Sequence, residues 1–292
     1  MPDAPFPRVA ILGTGLIGGS FGLALRNKFP DAQITGWDKP GVLQRAQQLG
    51  AISAPASDLE SAVRSASLVY LALPIGVTLE ILPAVAANAA ADALVTDASS
   101  TKSAICRAAA EAFRSSARFL GGHPVAGREV SGIDHASADL FRGARYALIA
   151  REQQEHEAAA DDRLRRFTEL IRNLGAHPIF LDADTHDWAA GIVSHLPQLV
   201  SIALARVVLD ETDETGLPAS LAGRGLRDTT RLAGSPYDVW RDICLTNTDN
   251  ISRALDRVSQ AIEHLRTHLA SKDLADEFGA ANELYRILHD LQ

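Results

Sequence analysis

Four clusters of polar residues in this chain have the types and spacings that chemistry on a small molecule requires. The first centres on His123, in the stretch FLGGHPVAGREVSGID at 119–134. A histidine titrates near neutrality, so it can take a proton from a hydroxyl while a hydride leaves the same carbon. The glycine pair before it is permissive, and Pro124 restricts His123 to extended backbone. The stretch is therefore expected to form an open turn after a strand, presenting the ring rather than packing it.

The second cluster is TDASSTKSAI, with Asp97, Ser99, Ser100, Thr101 and Lys102 following the apolar run ALV. Hydroxyls at the carboxyl end of a strand suit a ligand. The same residues equally suit the N-cap of a helix KSAICRAAAEAF. The third is THDWAAGIVSHLPQ, with His186, Asp187, Ser194, His195 and Gln198. On a regular helix His186 and His195 point to roughly opposite sides. Both face one ligand only if one sits at a helix end or Pro197 bends the helix. His195 and Gln198, at i and i+3, share a face and suit a pocket wall. His186 equally suits a helix cap. The fourth is RGLRDTTRLAGSPYDVWRD, which supplies Arg224, Arg227, Asp228, Arg231 and Trp240. An arginine fork matches a carboxylate, while a salt-bridged outer face accounts for Arg224 or Arg227 just as well.

Something must position these side chains. The strand RVAIL runs into GTGLIGGS, a G-x-G-x-x-G loop with Gly13, Gly15, Leu16, Ile17 and Gly18 that opens a helix. Such a loop allows a tight turn, close approach of a pyrophosphate, and an anion at the helix N-terminus. Asp38 ends the next strand about 20 residues further on, where a carboxylate accepts from ribose hydroxyls and repels a 2′-phosphate. NAD is expected rather than NADP. Leu73 and Pro74, after the third strand, border the cofactor by analogy with such folds.

RVAILG, AQITGWD, ASLVYLALP, DALVTDASS, RFLGGH, YALIA and HPIFLD are each short, apolar, and bounded by Gly, Pro or Asp, as buried strands are. Helical patterns alternate with them. The expected fold class is α/β, a Rossmann-type doubly wound and mostly parallel sheet. After Asp182–Thr185 only helical periodicity remains. Residues 1–182 are thus expected to form an NAD-binding domain, and 183–292 an all-α domain whose apolar stripes suit pairing in a homodimer.

The composition, 47% hydrophobic and 22% charged over 292 residues, is that of a soluble globular protein. A net charge of −8 argues against a general nucleic-acid binder. Two distant cysteines suit a reducing cytoplasm and neither a disulfide framework nor a metal site. No signal peptide and no run long and apolar enough for a membrane span are expected.

With these residues in view, the chain resembles the prephenate/arogenate (cyclohexadienyl) dehydrogenase family of tyrosine biosynthesis. The likeness spans nearly the whole chain and is carried by GTGLIGGS, TDASSTKSAI, GGHPVAGREVSG, the HD and SHLP elements of THDWAAGIVSHLP, and RDTTRLAGSPYDVWRDI. It implies NAD(P)-dependent oxidation of a ring hydroxyl at C4 of a cyclohexadiene, with loss of the ring carboxylate as CO2. By resemblance His123 matches the catalytic histidine that meets the C4 hydroxyl. Ser100 matches a serine touching that histidine and the nicotinamide region. Arg231 matches the arginine that holds the ring carboxylate. His186 and His195 match further active-site histidines, and Trp240 a tryptophan near the site. The family often reads SHLPH where this chain has SHLPQ, so Gln198 cannot carry a charge toward the substrate's pyruvyl or alanyl side chain. The alternatives are a β-hydroxyacid-type NAD(P) dehydrogenase, which would need a lysine near 184–200 that the sequence lacks, and a non-catalytic NAD-sensing protein.

Overall fold

The computed structural model of the chain describes residues 4–114, 117–127, 130–150, 161–212 and 216–290. Eight strands form one sheet in the order β3-β2-β1-β4-β5-β6-β7-β8. They are β1 (Arg8–Leu12), β2 (Gln33–Trp37), β3 (Ala54–Pro55), β4 (Leu68–Leu71), β5 (Leu94–Asp97), β6 (Arg118–Val125), β7 (Arg145–Ile149) and β8 (His177–Leu181). Every pairing is parallel except β6 with β7.

Alternate strand residues feed two cores, as the period of two dictates. Ile11, Ile34, Leu68 and Tyr70 face one side, while Ala10, Leu12, Val69 and Leu71 face the other. Helices α1 (Leu16–Lys28), α2 (Pro40–Gln48) and, later in the chain, α6 (Asp162–Asn173) cover the first side. Helices α3 (Leu59–Val63), α4 (Ile75–Asn88) and α5 (Ser103–Ala112) cover the second. Phe21 of α1 stacks on Tyr70 at 3.9 Å between centroids, and burying such a ring is worth about 1.5–3 kcal/mol. Seven of these strands match the runs picked out by periodicity. β3 is two residues long and has no apolar run to mark it.

β8 ends at Leu181, and the Asp182 carboxylate caps the next helix by accepting from Asp184 and Thr185 N–H. That helix comprises α7 (Ala183–Ala190), a π turn at Gly191–His195, and α8 (Leu196–Asp210). By length and composition alone, 183–210 is long and apolar enough to cross a membrane, although no such run was expected. His186, Asp187, His195 and Gln198 along it are nevertheless buried. There follow α9 (Leu217–Ser220), α10 (Arg224–Thr230), a 3-10 turn at Arg231–Gly234, α11 (Tyr237–Thr246), α12 (Thr248–Thr267) and α13 (Leu274–Asp290). Polar ties join these helices to the sheet's carboxyl edge. Gly76 N–H donates to the Asp242 carboxylate at 2.8 Å, and the Thr101 and Thr246 hydroxyls meet at 2.7 Å.

Candidate active site

The glycine loop leaves β1 at Gly13, whose φ of 90° is a conformation few other residues adopt. A Cβ there would lie 2.4 Å from the Ala72 carbonyl oxygen. Gly15 is different. A Cβ on it would meet no protein atom within 4 Å, so the space beside it lies open to a ligand. Leu16 and Ile17 begin α1, and Gly18 packs directly on the Gly13 carbonyl. The N–H groups of this first turn have no intrahelical partner, and with the helix dipole they favour an anion.

Asp38, just past β2, is held over this cradle by Thr14, whose N–H donates to Oδ2 at 2.7 Å, and by Lys39 N–H to Oδ1 at 2.7 Å. Asp38 also borders a cavity of about 350 Å³ with Trp37, Pro40, Leu43, Gln44 and Ser57, and no lysine or arginine lines it. Leu73 closes against Gly13, and Pro74 is the N-cap of α4. An open glycine cradle beside a carboxylate, with no cation in the adjoining cavity, fits a dinucleotide lacking a 2′-phosphate.

His123 does not follow β6, as its glycine and proline neighbours suggested; it lies within the strand and pairs with Ala147 of β7. Pro124 is tolerated because its missing N–H falls on the β5 side, where the β5–β6 ladder has already ended at Leu120. Arg128 and Glu129 of the same motif lie outside the described residues. The His123 ring faces α7. Its Nδ1 lies 2.9 Å from His186 Nε2, and His186 Nδ1 lies 2.8 Å from Asp187 Oδ1.

These partners assign the tautomers. A carboxylate only accepts, so His186 carries its proton on Nδ1, and in the neutral ring Nε2 then accepts from His123 Nδ1–H. His123 is left with an unprotonated Nε2. Burial foremost, then the neighbouring His186, Lys102 and His195, hold His123 well below the usual histidine range. Burial would raise the Asp187 carboxyl. Hydrogen bonds from His186 and from Ser103 and Lys102 outweigh it and hold the group below the usual carboxylate range.

His195 also comes to this region, which a regular helix would not permit for both histidines. A π turn holds one more residue than an α turn and returns about 100° of phase. The Asn247 amide nitrogen donates to the Asp187 backbone carbonyl at 2.7 Å and to His195 Nδ1 at 3.1 Å. Asn250 donates to the Asn247 amide oxygen, which fixes the amide's orientation. His195 therefore carries its proton on Nε2 and is a donor. Burial, offset by Asp187 and reinforced by His186, pushes it down to about 4.

The Trp240 ring meets His195 edge to face at 5.9 Å. Gln198 is buried and committed elsewhere. Its amide nitrogen donates to the Leu232 carbonyl at 2.8 Å, and its oxygen accepts from the Ser235 hydroxyl at 3.4 Å. Together with Ser201, whose hydroxyl accepts from Ala233 N–H, it pins the Arg231–Gly234 turn onto α8. Arg231 opens that turn and is exposed. Ser100 is half-buried between β5 and α5 and is hydrogen-bonded to neither His123 nor His186 among the described residues.

The structure thus brings His123, His186, His195 and Trp240 together, with the glycine cradle on the same sheet edge. Two family models match the chain: the nucleotide-binding domain of prephenate dehydrogenase over residues 21–180, and its dimerization domain over 182–288. The chain belongs to the prephenate dehydrogenase family. It is an NAD-dependent oxidoreductase of that family.

Among its relatives, prephenate dehydrogenase of Lactococcus lactis is 35% identical over 274 residues, covering 88% of this chain and 74% of the relative. A prephenate dehydrogenase structure from A. aeolicus, in complex with hydroxyphenyl propionate and NAD+, superposes with a TM-score of 0.86 at 27% identity, covering 98% of each chain. An arogenate dehydrogenase structure from Synechocystis gives a TM-score of 0.77 at 27% identity, covering 95% of this chain and 99% of its own.

Asp97, Lys102 and Asp187, named in the sequence within the polar clusters but given no role of their own there, make the hydrogen bonds that hold the His123 and His186 segment, and Asn247 holds His195. Asn247, at the α11–α12 junction, carries no signal in the sequence.

Proposed function

We propose that this enzyme catalyses the NAD-dependent oxidative decarboxylation of prephenate, arogenate or both, with His123 as acceptor of the C4 hydroxyl proton. The observation that carries this is the Asp187–His186–His123 chain, which leaves an unprotonated Nε2 on His123. When bound, NAD supplies the hydride acceptor. His123 takes the hydroxyl proton as the ring carbon is oxidised. Loss of the ring carboxylate as CO2 then delivers an electron pair to the oxygen, and His123 returns the proton to the resulting phenolate. Asp187 stabilises the transient imidazolium through His186. Aromatisation drives the decarboxylation, so the protein has mainly to position and polarise.

Arg231 is assigned to the ring carboxylate, and His195 Nε2–H to a substrate oxygen. His186 and Trp240 form the wall, Gln198 holds the Arg231 turn, and Ser100 bridges the substrate and nicotinamide regions. Gly13, Gly15, Leu16, Ile17, Gly18, Asp38, Leu73 and Pro74 are assigned to the cofactor. Residues 1–182 and 183–292 are taken as the two domains. The second pairs two copies through its helices, which is supported by exposed Val207, Leu209, Ile262, Leu269, Phe278 and Tyr285. A cytoplasmic location is supported by bacterial relatives and two free cysteines. Family membership favours this function over a β-hydroxyacid-type dehydrogenase or a non-catalytic NAD sensor.

The test is formation of NADH and NADPH with each substrate, compared by kcat/KM, in the wild type and in His123→Asn. The variant should lose about 10²- to 10⁴-fold in kcat at unchanged NAD affinity. Undiminished turnover would remove His123 from the chemistry.

A further inference from the structure

Beyond Leu120, β6 has no strand partner on its β5 side among the described residues, because the register ends at Thr96 with Leu120. Gly122 directs both of its peptide groups into that gap. Its N–H donates to Asp97 Oδ1 at 3.0 Å, and its carbonyl accepts from Lys102 Nζ at 2.7 Å. Lys102 and Asp97 are themselves an ion pair, and neither side chain has any exposure. Asp97 Oδ2 also accepts from Ser99 N–H at 3.0 Å. A Cβ at position 122 would lie 2.7 Å from the Asp97 carbonyl oxygen, so only glycine lets the strand approach this closely.

Lys102 reaches the other end of the histidine chain as well. Its backbone N–H donates to Asp187 Oδ1 at 2.7 Å, and that of Ser103 to Oδ2 at 2.8 Å. One residue therefore ties the peptide that carries His123 to the carboxylate that orients His186. A buried ion pair is a poor stability device, often replaceable by apolar residues at no net loss. Its value here is the place of its hydrogen bonds.

We propose that Asp97 and Lys102 are positioning residues for His123, holding Gly122 so that the imidazole meets His186 and keeping a fixed cation beside that ring. The proposal rests on His123 being the proton acceptor. Around His123, Asp97 and Lys102 come from the β5–α5 side, and His186, Asp187 and His195 from the helices. From β7 the residue opposite His123 is Ala147, which does not titrate. Lys102 is the one lysine or arginine in this set. It disfavours an imidazolium, so His123 stays able to accept a proton at lower pH than an ordinary histidine.

The experiment is kcat/KM against pH with NAD and substrate, for the wild type, Lys102→Met, and the double variant Asp97→Asn/Lys102→Met. The double variant leaves no buried charge unpaired, which protects folding. Each variant should lose about 10- to 100-fold in kcat, keep its KM for NAD, and move its acid limb up toward the ordinary histidine range. A folded variant with wild-type kcat and an unmoved limb overturns the proposal. A nuclear magnetic resonance titration of wild-type His123 gives an independent arm. A ring neutral below the usual range is expected, and one titrating at the ordinary value overturns the proposal. If His123→Asn is inactive but the limb stays put, the positioning role alone fails. If His123→Asn is fully active, the proton-acceptor role fails and takes this one with it.

Discussion

His123 and His195 are two imidazoles kept neutral in one site, and both depend on the same residue through different atoms. His123 reaches the Asp187 carboxylate by way of His186, whereas His195 reaches the Asp187 backbone carbonyl by way of the Asn247 amide. A carboxylate at the end of a chain can compensate a proton arriving at the other end. An amide only fixes which nitrogen carries the hydrogen. The first ring is thereby an acceptor able to become charged, and the second a donor that stays neutral. The roles follow from the neighbours, since the two side chains are chemically identical.

The sharpest break in this comparison is Asp187→Asn, which removes the carboxylate and leaves the backbone carbonyl. Turnover should fall on the order of 10²-fold, at the lower end of general-base losses, with the His195 arrangement intact. A change in KM of the same size, with kcat preserved, would show that the two rings are not separable in this way. Asn247→Leu acts on the other branch. It strips the donor from His195 Nδ1 and from the Asp187 carbonyl, costing about 1–3 kcal/mol in stability. The effect on substrate should appear as a KM raised about 10-fold with little change in kcat, read by steady-state kinetics on the folded variant.

A further effect concerns acid stability. His195 titrates at about 4 when folded against 6.5 unfolded. Between these values the unfolded chain binds more protons, so stability is complete above about 6.5 and is lost as pH falls toward about 4. His123 adds a loss of the same sign. In His195→Asn this part of the decline should flatten, measured as Tm against pH. An unchanged slope would mean that other groups set the acid limit.

The parts of this molecule legible in the sequence are those that rest on local rules. The glycine loop, the Asp38 position and seven strands follow from turn chemistry and apolar runs, which neighbours in sequence decide. His123 was visible as an unusual residue at the end of the expected strand RFLGGH, but the continuation of that strand through Pro124 and Val125 was not. β6 continues through a glycine pair and a proline only because β7 pairs on one side and the Asp97–Lys102 pair replaces β5 on the other. Such support comes from residues 20 or more positions away. His186 and His195 were expected to share a ligand only if one sat at a helix end or Pro197 bent the helix, because a π turn leaves no mark in the sequence. Gln198 appeared free to meet substrate, yet its amide is spent on Leu232 and Ser235, a pairing that depends on where a distant turn docks.

The π turn at Gly191–His195 makes the chain's residue count a mechanical setting. Every side chain from Leu196 to Asp210 is rotated by about 100° from where an unbroken α-helix would put it. That single offset selects both the side of α8 that grips the Arg231 turn and the side whose Val207 and Leu209 remain exposed. Deleting one residue in this segment would leave the composition almost untouched. It would nevertheless turn the buried Gln198 side and the apolar outer face together, like a shaft slipped by one tooth.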